Sequence, residues 1–254
     1  MIPQEANKEN TITDIVVAIK DLCKSFGDNV VLTGVNLNVK KGENLVVLGK
    51  SGSGKSITIK CLVGLIDADK GEIKILDTDI TKLNNEEINK IRVRIGFLFQ
   101  NAALYDSMTV RENLMFPLKR HKKEMTAEEL EAEVLNTLDS VGLKEAIDKM
   151  PSELSGGMRK RIGLARTLIL KPELMLYDEP TTGLDTITSR EISELILAIQ
   201  KKNKTTSIII THDMACAKLT SDRIVILKDG TINAEGTYEE LEKSNDEWVR
   251  SFFI

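Results

Sequence analysis

Apolar positions in this chain come in short runs whose spacing changes along its length. Ile15–Ile19 and Val30–Val39 read as strands. In the second, Val35, Leu37 and Val39 alternate with Asn36 and Asn38, the two-residue period of a strand with one buried face. Leu45–Leu48 is uninterrupted and apolar, as in a strand covered on both faces, and runs directly into Gly49-Lys50-Ser51-Gly52-Ser53-Gly54. A helix is expected from Lys55 to near Gly64, a turn at Asp69-Lys70-Gly71 and a strand over Glu72–Leu76.

After a further strand at Ile95–Phe99 the spacing lengthens. Thr109–Leu118 and Thr126–Val141 read as helices. In the latter, Leu130, Val134, Leu138 and Val141 recur at steps of four, four and three, and Thr126 with Glu129 has the pattern of a capping box. Pro151 breaks the chain before a helix from about Ser155 to Leu170. Strand and helix then alternate through Leu174–Tyr177, Thr188–Lys202, Ser207–Ile210, a short helix and Ile224–Leu227. Alternation interrupted by a helix-rich block predicts a mostly parallel α/β core with an all-helical insertion at about 101–162. The expected organisation is a polar, flexible tail over 1–13, one domain over 14–240 and a short helix over 241–254.

Composition narrows the classes. The chain has 254 residues, long for a single small domain, with 41% hydrophobic and 29% charged residues, enough for a sizeable core. A net charge of -4 and only 4% aromatics argue against a nucleic-acid partner. No apolar run approaches the roughly 18 residues of a membrane span, and the first ten residues lack the basic start and apolar stretch of a signal peptide. Cys23, Cys61 and Cys216 are odd in number and far apart, which fits a reducing cytoplasm. Membrane chemistry would therefore need a separate membrane partner.

The first candidate chemistry is Gly49-Lys50-Ser51-Gly52-Ser53-Gly54-Lys55-Ser56, which fits the P-loop spacing G-x-x-x-x-G-K-[ST] between a predicted strand and a predicted helix. Glycines let main-chain N–H groups wrap a phosphate, and the helix start adds the positive end of its dipole. Lys55 is expected at the β- and γ-phosphates, and the Ser56 hydroxyl on Mg²⁺. A flexible glycine loop matching by accident is the alternative; the strand-to-helix setting weighs against it. Next, the apolar Leu174–Tyr177 ends in Asp178 and Glu179. Beside a P-loop, Asp178 reads as the Mg²⁺-holding carboxylate, usually through water, and Glu179 as a general base for the attacking water. Read alone, the same pair is also an ordinary turn cap.

Leu154-Ser155-Gly156-Gly157-Met158 resembles the signature sequence of ABC-type ATPases, usually LSGGQ. The resemblance covers about 14–236. It implies an α/β P-loop NTPase core with a small antiparallel β subdomain and the inserted helical subdomain. It further implies a homodimer sandwiching two ATP molecules, each held by the P-loop of one chain and by Ser155, Gly156 and Gly157 of the other. Gln100 resembles the Q-loop glutamine, a contact to Mg²⁺ and water. Asp185 lies in a D-loop-like Gly183-Leu184-Asp185, His212 resembles the switch histidine, and Phe26 stands where an aromatic stacks on adenine. Without that order, Gln100 reads equally as a turn residue, Phe26 as a core ring and His212 as a structural histidine. The implied catalytic residues are Glu179, His212, Gln100 and Lys55. The implied nucleotide contacts are Phe26, Gly49, Lys50, Ser51, Gly52, Ser53, Gly54, Lys55, Ser56, Ile57, Ser155, Gly156, Gly157 and Asp185. The implied metal contacts are Ser56, Gln100 and Asp178, with ATP and Mg²⁺ as substrate and cofactor.

A narrower resemblance, to Mce-associated, Mla-type ATPases, lies in Ile95–Val110, Glu112-Asn113, Phe116-Pro117-Leu118 and the stretch Leu154-Ser-Gly-Gly-Met-Arg-Lys-Arg-Ile-Gly-Leu-Ala-Arg. Met158 departs from the general pattern but suits this branch. The branch implies phospholipid traffic between inner and outer membranes, with permease subunits and an Mce-domain lipid-binding protein as partners. The expected location is the cytoplasmic face of the inner membrane. Other transporters, such as small-solute importers or lipoprotein release, and a non-transporting cell-division role remain open readings. Leu104, Tyr105, Met115 and Phe116 read either as a permease groove or as core. Arg159-Lys160-Arg161 and His121-Lys122-Lys123 read as solvated faces or lipid-headgroup contacts. Trp248, Phe252 and Phe253 read as a terminal packing cluster or a dimer or membrane contact. No longer C-terminal dimer clasp is expected.

Overall fold

The structure, a computed structural model, describes residues 15–253, and the 1–13 tail lies outside the described residues. The chain runs through β1 (Ile15–Phe26), β2 (Asn29–Lys40), β3 (Asn44–Gly49), α1 (Lys55–Leu62), β4 (Lys70–Ile75), β5 (Thr78–Asp79) and α2 (Asn85–Arg92). After β6 (Ile95–Leu98) come α3 (Val110–His121), α4 (Ala127–Ser140) and α5 (Gly156–Leu168). Alternation resumes with β7 (Leu174–Asp178), α6 (Thr186–Asn203), β8 (Thr206–Ile210), α7 (Met214–Thr220) and β9 (Arg223–Lys228). The last elements are β10 (Thr231–Gly236), α8 (Tyr238–Glu242) and α9 (Glu247–Arg250).

Two sheets form, with strand orders β2-β1-β4-β5 and β10-β9-β3-β8-β7-β6. The first is antiparallel throughout. In the second, β9, β3, β8, β7 and β6 are parallel, and β10 closes one edge antiparallel to β9. The run Leu45–Leu48 is central and fully buried, as its unbroken apolarity requires. Each such side chain removed from water stabilises the fold by about 1.5–3 kcal/mol before entropy is counted. Because these strands are parallel, their carboxyl ends share one rim, where ligands of open α/β sheets bind.

Three apolar clusters divide the molecule. One joins the antiparallel sheet and α1 to one face of the larger sheet, a second fills the opposite face under α5, α6 and α7, and a third lies among α3, α4 and α5. Helix α4 begins as its sequence predicts, with Thr126 and Glu129 in a reciprocal capping box and Leu130, Val134 and Leu138 buried. Helix α3 has the same cap from Thr109 and Glu112, and it continues past Pro117 to His121.

Some elements differ from the sequence expectation. Strand β1 continues to Phe26, because register shifts between Ile19 and Leu22 and a left-handed Asp21 (φ 49°) break the alternation that marks its first half. Helix α2 carries little apolar pattern, with only Ile88 and Ile91 buried, and its sequence signal is the Asn84–Glu87 capping box. The edge strand β10 has no fully buried residue and hence little pattern. The C-terminal segment forms two short helices instead of one over 241–254, with Asp246 capping the second. Trp248, Phe252 and Phe253 pack on the second cluster, so the core-packing reading of that aromatic set holds. Among the described residues no helix is long and apolar enough to cross a membrane.

Candidate active site

The glycine loop leaves the end of β3 and enters α1 at the rim. Gly54 adopts φ 103° as the N-cap, and no side chain caps the helix start, so its first-turn N–H groups remain available to an anion. A Cβ on Gly54 would come within 2.6 Å of Leu32 Cδ2, and one on Gly49 within 2.5 Å of Ser53 Oγ and 2.6 Å of Leu227 O. Both positions thus require glycine for space as well as for conformation. Lys55 Nζ folds over the loop and donates to Gly49 O at 2.7 Å and Lys50 O at 3.0 Å. Burial holds the Lys55 ammonium below its usual pKa, opposed by the nearby Glu179 and Asp178 carboxylates. Ser53 Oγ is buried with no partner. Ile57 packs against the first apolar cluster, so its main-chain N–H, not its side chain, is what it offers an anion.

Strand β7 carries Asp178 to the same rim. Ser56 Oγ lies 3.4 Å from Asp178 Oδ1. Burial pushes the Asp178 carboxyl above its usual value, with the Ser56 hydroxyl pulling it back down and Glu179 adding to the rise. Glu179 follows in a left-handed conformation, φ 52°. This geometry costs an L residue on the order of 1–3 kcal/mol and is held from several sides. Its N–H donates to Ile210 O at 2.9 Å, Lys160 Nζ donates to its carbonyl at 3.1 Å, and Thr182 Oγ1 donates to its Oε2 at 3.2 Å. His212, just past β8, has Nδ1 at 2.7 Å from Glu179 Oε2 and is 69% exposed, so its ring faces outward while its inner nitrogen holds the carboxylate. Lys55, Ser56, Asp178, Glu179 and His212 therefore converge on one rim.

The other expected residues lie in different settings. Phe26 ends β1 with its ring 46% exposed beneath Lys24 Nζ, a free apolar face and not a core ring. Gln100 is exposed in the turn after β6, and its carbonyl, not its side chain, makes the recorded contact, accepting from Lys160 Nζ at 2.5 Å. Lys50, Ser51 and Gly52 form the exposed tip of the loop. Ser155 caps α5 by accepting from Met158 N at 3.2 Å. A Cβ on Gly157 would lie 2.6 Å from Thr188 Cγ2, and one on Gly156 would touch Leu184 at 3.4 Å, so both glycines also let α5 approach α6. Among the described residues no hydrogen bond joins Ser155, Gly156 or Gly157 to the glycine loop of the same chain. Asp185 caps α6 through the N–H groups of Ile187 and Thr188; the Thr188 hydroxyl, donating at 2.7 Å, and then these N–H groups hold its carboxyl below the usual range.

Sequence reasoning missed Lys160. The Arg159-Lys160-Arg161 cluster is a solvated face only in part, since Arg159 is exposed and Arg161 half-buried. Lys160 is buried, Arg159 donates to Leu154 O, and Arg161 pairs with Glu191 and reaches Val141 O. Thr182 on Glu179, and Thr181 on Asp213 at 2.9 Å, were also missed; the Thr181-Thr182 repeat after Glu179-Pro180 was the only signal. Tyr105 and Phe116 pack edge to face and are each about 40% exposed, whereas Leu104 and Met115 pack on the third cluster.

Among the described residues no group of three or more His, Cys, Asp or Glu is placed to hold a metal ion. The Ser56–Asp178 pair instead offers two hard oxygens beside a phosphate cradle, a donor set that fits Mg²⁺, which takes most of its ligands from water and phosphate. A cavity of about 750 Å³ adjoins this rim, lined by Gly183, Leu184, His212 and Leu219. Another, of about 820 Å³, lies by the opposite ends of the strands near Arg94, Glu173 and Thr205 and takes no part in the chemistry above.

The family described as ABC transporter matches residues 32–182. The intermembrane phospholipid transport system ATP-binding protein MlaF of Haemophilus influenzae is 38% identical over 93% of this chain and 89% of its own length. The methionine import ATP-binding protein MetN of Clostridium tetani is 36% identical over 89% of this chain and 70% of its own. Among solved structures, the dimeric post-hydrolysis state of the ATP-binding cassette MJ0796 bound to ADP and Pi superposes with a TM-score of 0.80 at 33% identity, over 87% of this chain and 98% of that one.

Proposed function

This chain belongs to the ABC transporter family as one of its ATPases, and on that premise we propose that two copies of it power phospholipid movement between two membranes. The observation that carries the chemistry is the Glu179 carboxylate, held at 2.7 Å by His212 Nδ1 on the rim that also bears Lys55, Ser56 and Asp178. In this reading the N–H groups of the glycine loop and of Ile57 cradle the phosphates, Lys55 leaves its loop carbonyls for the β- and γ-oxygens, and Phe26 stacks on the base. Ser56 and Asp178, with Gln100, would hold Mg²⁺, which would neutralise phosphate charge. Glu179 accepts the proton of the attacking water as its oxygen bonds to the γ-phosphorus and the bridging bond to the β-phosphate breaks. His212 orients that carboxylate. Ser155, Gly156 and Gly157 of the second copy close over the γ-phosphate, with Asp185 at the contact between copies. Loss of the γ-phosphate removes the bridge between the copies and lets them part.

The lipid assignment is supported by the MlaF similarity and by Met158 with the Ile95–Val110 stretch. The similarity to MetN makes small-solute import the second reading. The proposed partners are permease subunits and an Mce-domain lipid binder at the cytoplasmic face of the inner membrane, with Tyr105 and Phe116 facing the permease.

Glu179→Gln should bind ATP normally, lose turnover by at least about 100-fold and accumulate as a dimer, read by light scattering. Affinity purification of that variant from native membranes should recover a permease with a lipid-binding subunit. Recovery of a soluble amino-acid-binding protein would replace the lipid assignment, and turnover at the normal rate would remove Glu179 as base.

A further inference from the structure

We infer that Lys160 is a positioning residue for ATP hydrolysis, a buried ammonium that ties the main chains of Glu179 and Gln100 to the helix capped by Ser155. The inference deepens the reading of Glu179 as base and rests on it. Lys160 lies in the second turn of α5, is 6% exposed, and donates to Gln100 O at 2.5 Å and to Glu179 O at 3.1 Å. Those two carbonyls belong to different strand ends, 60 and 19 residues away from Lys160 in sequence.

Around this node, α5 holds the segment after β6 at successive points. Lys160, Gly163 and Arg166 recur every three residues and so share one stripe of the helix. Gly163 allows close approach, since a Cβ there would stand 2.7 Å from Ala102 Cβ. Arg166 donates to Ala103 O at 2.6 Å. Ala102 and Ala103 are both left-handed, with φ 58° and 50°, a conformation their own side chains do not favour. The stripe therefore imposes the path of residues 100–103.

The second bond acts on Glu179. Anchoring the Glu179 carbonyl restrains its left-handed main chain and so the point from which its side chain starts towards His212. Ser155 lies five residues before Lys160, about 7.5 Å along a helix. A displacement of α5 as the second copy engages Ser155 would thus move the Gln100 and Glu179 peptides with it. Burial holds the Lys160 ammonium below its usual pKa, opposed by the nearby Glu179 and Asp178 carboxylates.

The test compares Lys160→Met, which is unbranched and one atom shorter but has no donor, with Lys160→Arg, which restores a cationic donor group. In the full-length dimeric ATPase, Lys160→Met should lower kcat roughly 10- to 100-fold, as expected for a slightly misplaced catalytic group, with the KM for ATP within about twofold of normal. Lys160→Arg should recover most of the rate. Glu179→Gln serves as the reference. If Glu179→Gln is inactive while Lys160→Met turns over normally, the inference falls and the base assignment stands. If Glu179→Gln is active, the base assignment falls with everything built on it. A loss of melting temperature in Lys160→Met with kcat and KM unchanged would make the residue merely structural, and so would overturn the inference. Should the Met variant not fold, Lys160→Leu, which also lacks any donor, takes its place, and a normal kcat there is equally fatal.

Discussion

At the scale of single residues, the site stores cost that nucleotide would relieve. Asp178 is partly buried, and burial raises its pKa above the ordinary 3.8. A carboxyl with a raised folded-state pKa binds its proton more tightly when folded, so it detracts from stability in full above that pKa, and the penalty shrinks as pH falls from there towards the unfolded value and is gone below it. If, as proposed, the Asp178 carboxylate holds Mg²⁺, the apparent affinity for the ion should weaken as acid is added, beginning above the ordinary aspartate range. Magnesium titration of ATP turnover at several pH values checks this. Asp178→Asn should lower Mg²⁺-dependent turnover about 10- to 100-fold, abolish that pH dependence and leave the nucleotide-free melting temperature equal or higher, since a poorly solvated charge is gone. Asp178 was legible because it closes an apolar strand. Lys160 was not, because a lysine between two arginines looks like surface until its distant carbonyl partners are known.

At the scale of elements, local sequence was read best where the stabilising contact is itself local. The Thr126–Glu129 capping box spans three residues and was visible in the chain. Asn113 is the counterexample. It is fully buried in α3, accepts from Tyr105 N and donates to the carbonyls of Tyr105, Met108 and Thr109. One side chain thus closes the loop that presents Tyr105. Asn113→Ala strands several buried polar groups and should destabilise the protein by about 3 kcal/mol, at 1–3 kcal/mol for each group left unpaired, measured by urea unfolding. It should also speed amide exchange around 105–109. Gly163→Ala pushes a methyl group into Ala102 and should cost about 1–3 kcal/mol by overpacking, with the larger effect on turnover because the Gln100 segment shifts.

For the molecule as a whole, the geometry within one chain is half of what the proposal needs. Among the described residues no hydrogen bond joins the glycine loop to the Ser155 helix start, so in this reading they meet only across a pair of copies. Mixing two inactive variants tests that arrangement. Lys55→Ala and Ser155→Arg should each be inactive alone. Random pairing of equal amounts makes half the dimers mixed, each with one intact composite site of its two, so about a quarter of normal activity should return if the sites act independently. No recovery after verified subunit exchange would refute a shared site.

By itself the sequence determined the chemistry of contiguous pieces: a glycine cradle before a helix, two acids after an apolar strand, a serine with two glycines at a helix start. In each of these, spacing along the chain is spacing in space. Only the tertiary structure decided that His212 grips Glu179, that Lys160 turns inward and that Phe26 stays exposed. Those outcomes depend on parallel strands delivering distant residues to one rim. They also depend on packing that makes a buried lysine tolerable once two carbonyls meet it.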